Sequence, residues 1–290
     1  MCLSFAWPLA ALAADDGRKT DQGNKQPSSG PAFAFVCLND KQPASEKAWK
    51  KSLQTWLQLK SEDEVEKFEM EAEKRGGKKA STISFDVDGR PFVVGMMDVP
   101  VPKDDIDYAV MNSFMWPQAE KVMAKHKSHM IVMALGNYDS PPAKSLALSR
   151  VIAAATECHN TAGVYWGHAA TVHAPKTFRE MIAGAGVTME TVPTIAWVGF
   201  LHEAGDKKGT VNFYTRGLSE FGAKELEILN SRKKPAEVLK FLTGLCTYLM
   251  VKGDVIKDGQ VLGGTSAGKV MTRWADSHIG LEGKVIRLDY

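Results

Sequence analysis

The chain has 290 residues, of which 44% are hydrophobic and 24% are charged, as in ordinary soluble globular proteins. Its 36 Lys and Arg residues nearly balance 34 Asp and Glu residues, so the net charge is +2. No overall field therefore favours nucleic acid, and we expect no nucleic-acid partner. No apolar run approaches the roughly 20 residues that span a bilayer, so we also expect no transmembrane segment.

The first fourteen residues are apolar and uncharged. They contain Ala11-Leu12-Ala13 near their end, which fits the small-x-small rule for cleavage of a secretory signal, but the usual Lys or Arg before the apolar stretch is missing. Residues 1–14 are therefore either a signal peptide of a periplasmic or exported protein, or an uncleaved tail of a cytoplasmic one. Residues 15–32 contain no large apolar side chain and are predicted to be a disordered linker.

The four cysteines are far apart, and no two form a CxxC pair. This spacing indicates neither a zinc knuckle nor a disulfide framework. Cys37, Cys158 and Cys246 each lie in an apolar stretch, where cysteine usually acts as a small buried hydrophobe.

The first ordered residues alternate between strand and helix signals. The apolar run 33–38 predicts a buried strand. Ser45 is placed to cap a helix whose apolar residues recur at helical spacing. A capping-box pattern at 61–64 predicts a second helix that ends at Gly76-Gly77.

The pattern then changes to a period of two. Residues 83–87 alternate between apolar and polar, and Asp88-Gly89 before the apolar run 92–97 predicts a hairpin with a tight turn. A helix is expected over about 107–125, interrupted or restarted near Trp116-Pro117. The remaining expected elements are helices at 142–158, 175–182 and 234–251, strands at 130–135, 163–167, 194–201 and 211–215, and short strands from 254 to 290.

The order strand, helix, strand, strand, helix, strand occurs twice, at about 33–136 and 163–262. This is the element order of the ferredoxin-like βαββαβ unit. We therefore predict an α+β fold in which two such units pack into one globule, with antiparallel sheets and helices on one face. Residues 33–290 would form a single domain, with C-terminal strands to residue 290.

Several dispersed segments also match a known family. They are Pro100–Pro102, Trp116-Pro117, Val122–Met133, Gly163–Gly167 with Val172-His173, Trp197–Phe200, Tyr214–Ile228 and Lys257–Gly259. Taken in this order they resemble the domain of unknown function 4261 family, over roughly residues 33–262. The resemblance implies a bacterial protein with no assigned reaction or ligand, and it transfers no catalytic residue. By the same resemblance, the N-terminal segment and the residues after about Gly264 lie outside the family's domain.

The sequence gives little support to three familiar types of site. Gly263–Lys269 matches the start of a phosphate-binding loop, but Val270 stands where Ser or Thr must bind magnesium, so a hairpin turn is favoured. His168 and His173 have no neighbouring carboxylate in the sequence to complete a metal site, and His126 and His129 lie near the end of a predicted helix, so loop and capping hydrogen bonds are expected. No GxSxG nucleophile motif occurs. We predict neither a metal nor a cofactor.

The segment Tyr214–Ile228 holds the most unusual combination of charges and glycines. One hypothesis places Arg216 against an anion, with Glu225 or Glu227 as a polar partner or acid–base group. The other is a strand-to-helix crossover in which Arg216 and a Glu form an internal salt bridge. Nearby aromatic residues are either a ligand platform or core. The candidate binding residues are Tyr165, Trp166, His173, Arg216, Glu225 and Glu227; catalytic residues stay unknown.

Two functions follow from these patterns. The first is a non-enzymatic binding or interaction module whose protein or small-molecule partner the sequence does not identify. The alternative is an enzyme of unassigned class with a polar cleft around Arg216, Glu225 and Glu227, close to Tyr165 and His173. A deep pocket that gathers these side chains would favour the enzyme, and an Arg216 buried in a closed salt bridge would exclude it.

Overall fold

The computed structural model describes residues 32–75, 78–265 and 268–290, which form seven α-helices and thirteen β-strands. Residues 1–14, which are either a signal peptide or an uncleaved tail, and residues 15–31 of the predicted linker lie outside the described residues. Within those ranges, no helix combines the length and the apolarity needed to cross a bilayer.

Seven strands form the first sheet. They are β1 (Ala32–Leu38), β2 (Glu66–Arg75), β3 (Lys78–Val87), β4 (Arg90–Met97), β5 (Ser128–Ala134), β6 (Thr161–Trp166) and β7 (Thr171–His173). Their spatial order is β2-β3-β4-β5-β1-β6-β7, and all neighbours are antiparallel. The predicted Asp88-Gly89 hairpin joins β3 to β4, and both turn residues have positive φ, as a type I′ turn requires.

Six strands form the second sheet. They are β8 (Gly199–Ala204), β9 (Val211–Arg216), β10 (Leu226–Ser231), β11 (Val261–Thr265), β12 (Gly268–Asp276) and β13 (Lys284–Leu288). Their order is β11-β12-β13-β10-β9-β8. The pair β10–β13 is parallel, and the other neighbours are antiparallel.

The seven helices pack on and between these sheets. They are α1 (Glu46–Leu57), α2 (Lys103–Met111), α3 (Ala119–Met123), α4 (Pro141–Cys158), α5 (Pro175–Ala183), α6 (Thr194–Trp197) and α7 (Pro235–Lys252). The hydroxyls of Ser45 and Ser140 cap α1 and α4 by accepting backbone N–H bonds. Helices α4, α5 and α7 confirm the predicted helices at 142–158, 175–182 and 234–251.

A central helix joins the two sheets through one hydrophobic core. Helix α4 packs against β1, β5 and β6 of the first sheet and also contacts α7. The same buried cluster contains Val36 and Val132 of the first sheet, Leu148 of α4, and Ile228 and Ile286 of the second sheet. The apolar faces of the two sheets are therefore buried together.

The predicted α+β class and antiparallel pairing are confirmed, but the helices do not lie on one face. In β1, Val36 belongs to the cluster that contains α1 and α4, whereas its neighbour Cys37 belongs to a second cluster that contains α2 and α3. Successive residues of a strand point to opposite faces, so the first sheet carries helices on both sides.

The predicted division into two units does not coincide with the two sheets. Strands β6 and β7, which were assigned to the second unit, extend the first sheet beside β1. The topology does not establish two ferredoxin-like units, because the order of elements along a chain leaves open which strands pair.

The predicted second helix at 61–75 is wrong. The capping box forms, but it closes a single 3-10 turn at Glu62–Glu64, and β2 follows directly. Phe68 and Met70 alternate with charged residues, which is the period of a strand, and β2 pairs with β3. The residues Gly76-Gly77 lie outside the described ranges. The predicted strand at 194–201 is also half wrong, since its first residues form α6 after Pro193.

Gly163 in β6 provides a test of how tightly α3 packs on the first sheet. A Cβ at this position would lie 2.5 Å from Met123 Sδ and 3.2 Å from the Trp116 ring. We expect Gly163→Ala to lower the free energy of unfolding by about 1–3 kcal/mol through overpacking. Gly95→Ala is the matched control, because a Cβ there meets nothing within 4 Å. Urea denaturation of both variants measures the difference, and equal stabilities would contradict this packing.

Candidate functional site

The segment Tyr214–Ile228 connects two neighbouring strands of the second sheet. Strand β9 ends at Arg216, a 3-10 turn covers Leu218–Phe221, and β10 begins at Leu226. The turn lies between Gly217 and Gly222, both with positive φ, a conformation that glycine adopts without strain. The segment is thus a strand-to-strand connection and not the predicted strand-to-helix crossover.

Glu225 holds this turn from inside the protein. Its Oε1 accepts hydrogen bonds from the backbone N–H groups of Gly217 (2.7 Å) and Ser219 (3.2 Å), and its Oε2 accepts one from Thr215 Oγ1 at 2.7 Å. Burial raises the pKa of this carboxyl above its ordinary value, and the hydrogen bonds oppose that shift. Both oxygens are therefore engaged in shaping the loop.

Glu227 forms an internal salt bridge, but its partner is Arg287. The two side chains are 2.9 Å apart, and Glu227 is fully buried. The other carboxylate oxygen accepts hydrogen bonds from Ser277 Oγ (2.7 Å) and from the backbone N–H of His278 (2.8 Å). Glu227 thus ties β10 to β13 and to the loop that precedes β13.

Arg216 points away from both glutamates and toward α2. Its guanidinium lies 5.5 Å from the centre of the Tyr108 ring, and Nη1 is 3.4 Å from Tyr108 Oη. Its charge also acts on the nearby Tyr165 hydroxyl, whose pKa is raised chiefly by burial and then by Asp105, while Arg216 lowers it. In the described part of the chain, Arg216 forms no ion pair with a carboxylate.

The three remaining candidates face two different clusters. Tyr165 stacks on Phe35 at 5.3 Å in the cluster under α2 and α3. Trp166 lies in the main core between Phe178 and Trp197. His173 is buried, and burial lowers its pKa to about 4, so the imidazole is neutral at pH 7. The structure therefore separates the candidates: Arg216 contacts Tyr108, the two glutamates bind the 217–219 turn and Arg287, and Trp166 lies in the main core.

A surface that the sequence analysis did not identify lies next to Arg216. Four large apolar side chains are exposed there: Tyr108 (42%), Met111 (80%), Phe114 (44%) and Met115 (56%). Two of them, Met111 and Phe114, line a groove of about 490 Å³ between α2 and α3, called here the α2–α3 groove. It is lined by Lys103, Asp107, Val110, Met111, Ser113, Phe114, Trp116, Pro117, Ala119 and Glu120.

The local sequence explains why these side chains face outward. Helix α2 buries Ile106 and Ala109, which lie three residues apart on one face. At its end, Ser113 Oγ donates to the carbonyl of Ala109 (2.6 Å) and accepts from the N–H of Val172 in β7 at 2.8 Å. The chain is held at this point, so the large side chains that follow remain at the surface. A run of apolar residues in a connection between helices is the signal that would have predicted the groove.

Residues 214–289 match the family model described as Domain of unknown function (DUF4261). The predicted resemblance is confirmed in this segment. The match continues through β13, so the C-terminal strands, which we had expected to lie outside the family's domain, are included. Comparisons with the curated proteins and with the solved structures found no significant match.

The DUF4261 segment contains the structural glutamates but not the groove. It runs from β9 through α7 to β13 and includes Glu225, Glu227 and Arg287. The α2–α3 groove lies earlier in the chain. Arg216, at the start of the segment, contacts Tyr108 of α2.

Other groups that could carry chemistry have structural roles in the described residues. No three His, Cys, Asp or Glu side chains there could share a metal ion. Burial raises the pKa of the Cys37 and Cys158 thiols to about 12, which removes the reactive thiolate. His126 and His129 bond to backbone groups, as expected. Lys269 lies on β12, which pairs antiparallel with β11; residues 266 and 267, where the predicted turn falls, lie outside the described ranges.

Proposed function

We propose that this chain is a non-enzymatic interaction module that binds its partner through the α2–α3 groove. The observation that carries the proposal is the group of exposed apolar side chains, Tyr108, Met111, Phe114 and Met115, beside a groove of about 490 Å³. Contiguous exposed apolar surface marks binding sites on soluble proteins. Aromatic residues, Met and Arg are also the types enriched in protein interfaces.

Two further features support a binding role. Methionine has an unbranched, adaptable side chain that suits binding surfaces, and Met111 and Met115 are the most exposed of the four. Arg216 contacts Tyr108, which lies close to Met111 in the sequence of α2, and Tyr and Arg are residue types enriched among those that contribute most to binding energy. We infer further that residues 33–290 act as one domain, because their sheets share a core.

The alternative, an enzyme that uses Arg216 with Glu225 or Glu227, has less support. A general acid or base must reach the substrate, but Glu225 is buried within a loop and Glu227 is paired with Arg287. The bacterial origin, and the choice between a cytoplasmic and an exported protein, stay predictions of the sequence.

The groove is tested by comparing two matched double variants. We expect Met111→Ala with Phe114→Ala to weaken partner binding at least about tenfold, since truncated interface anchors cost about 2 kcal/mol or more. The partner is isolated from a lysate of the source organism, identified, purified and titrated by calorimetry.

Val261→Ala with Met271→Ala is the control, because this cross-strand pair is also apolar and 46% exposed but lies on the second sheet. Its affinity should stay within about twofold of the unaltered protein. Equal affinities of the two double variants would contradict the assignment of the groove.

A further inference from the structure

The α2–α3 groove has one polar side, which carries an excess of negative charge. Lys103 and Asp107 form an ion pair along α2, and Glu120 lines the groove opposite them. Asp104 and Glu120 also act on the Lys103 ammonium. Of the charged residues that line the groove, Asp107 and Glu120 are negative and Lys103 is positive, which leaves one negative charge in excess, although the whole chain carries a net charge of +2.

Four backbone N–H groups beside the groove are already hydrogen-bonded. The N–H groups of Asn112, Ser113, Trp116 and Ala119 all donate to carbonyls within the 109–119 turn. The groove lies between two helices, so it presents no strand edge that a partner could extend. The backbone N–H and C=O groups of a helix hydrogen-bond to each other, so a helical partner needs only a groove that accepts its apolar face.

We propose that the partner presents an amphipathic helix with basic side chains along its polar face. Its apolar side chains would lie against Met111, Phe114 and Trp116, and its Lys or Arg residues would face Asp107 and Glu120. Complementary charge sets the orientation and the selectivity of such contacts. This inference rests on the proposed function, since it specifies the partner of the same groove.

The probes are two amphipathic peptides of roughly 15 residues, long enough to form a helix on binding. Both carry Leu at the same helical positions, and the remaining positions are Lys in one peptide and Glu in the other. Fluorescence anisotropy with the full chain should show the Leu–Lys peptide binding about tenfold more tightly at about 50 mM salt. The preference should shrink as added salt screens the charges.

Two pairs of variants locate the binding and its charge dependence. Asp107→Asn with Glu120→Gln should reduce the tenfold preference to about twofold, whereas Glu180→Gln with Glu237→Gln should leave it unchanged. The control pair also removes two exposed carboxylates, and Glu180, like Asp107, pairs with a lysine four residues away. Met111→Ala with Phe114→Ala should weaken binding of the Leu–Lys peptide. Thermal unfolding verifies that every variant is folded.

Each other outcome overturns the inference in a distinguishable way. If both peptides bind equally and the Met111/Phe114 variant binds neither, the groove binds apolar side chains but does not discriminate by charge. That result would leave the proposed function intact. Binding that no groove variant alters, or no saturable binding of either peptide, would show that a basic helix does not occupy this groove. In that case the partner titration described above still tests the proposed function independently.

Discussion

Replacing Glu227 by Ala is expected to lower the free energy of unfolding by about 3–5 kcal/mol. The carboxylate is fully buried and holds Arg287, Ser277 Oγ and the backbone N–H of His278. Its removal would leave a partly buried guanidinium without its counter-charge and two donors without an acceptor. Such groups lose hydration without any compensating bond, so the effect should be large.

The measurement is urea denaturation at pH 7, with Asp289→Ala as the control. Asp289 also pairs with an arginine of the second sheet, Arg273, at 2.7 Å, but both side chains are about half exposed. An exposed pair contributes at most about 1 kcal/mol. A loss for Glu227→Ala as small as that of the control would contradict the structural role. It would also reopen the hypothesis that Glu227 is a polar partner or acid–base group of an enzyme.

The stability of the protein should fall in mildly acidic solution because of His173. Burial lowers its pKa from the ordinary 6.5 to about 4, so the folded state keeps the imidazole neutral while the unfolded chain takes up a proton. The contribution of the neutral His173 to the free energy of unfolding is therefore complete above pH 6.5 and is lost as the pH falls toward 4. At pH 4 the free energy of unfolding is lower by roughly 3 kcal/mol for this reason.

His173→Gln removes this titration, so its stability should depend less on pH than that of the unaltered protein. The free energy of unfolding is measured at pH 7 and at pH 4.5, and the change between them is compared for the two proteins. Burial also lowers the pKa values of His129 and His159, but both are present in each protein and cancel in the comparison. The exposed His202 supplies the control variant, His202→Gln. Identical changes for the unaltered protein and His173→Gln would contradict a neutral, buried His173.

Local signals predicted the elements whose conformation depends on neighbours along the chain. The Asp88-Gly89 hairpin, the apolar helix expected at 142–158 and the helix expected at 234–251 all formed where the pattern placed them. The capping box at Ser61 also formed, but it did not extend into a helix. Strand pairing with β3 decided that segment, and a capping signal carries no information about a partner strand.

The candidate site also shows the difference between what local sequence signals predict and what long-range contacts decide. Arg216, Glu225 and Glu227 are close in sequence, which suggested one cleft. In the structure each meets a partner from a different place: Tyr108 on α2, the 217–219 turn, and Arg287 on β13. Partners separated by many residues are chosen by strand register and by which face of a helix packs inward.

The sequence by itself determined the α+β class, the resemblance to the DUF4261 family and most helices, because these depend on periodicity, capping and short motifs. Only the tertiary structure decided which strands share a sheet, that helices cover both faces of the first sheet, and that Glu227 pairs with Arg287. It also decided that Met111, Phe114 and Met115 stay exposed. Which side chains are exposed depends on how α2 packs on the first sheet. Ile106 and Ala109 lie on the side of α2 that faces the sheet, and the opposite side faces solvent.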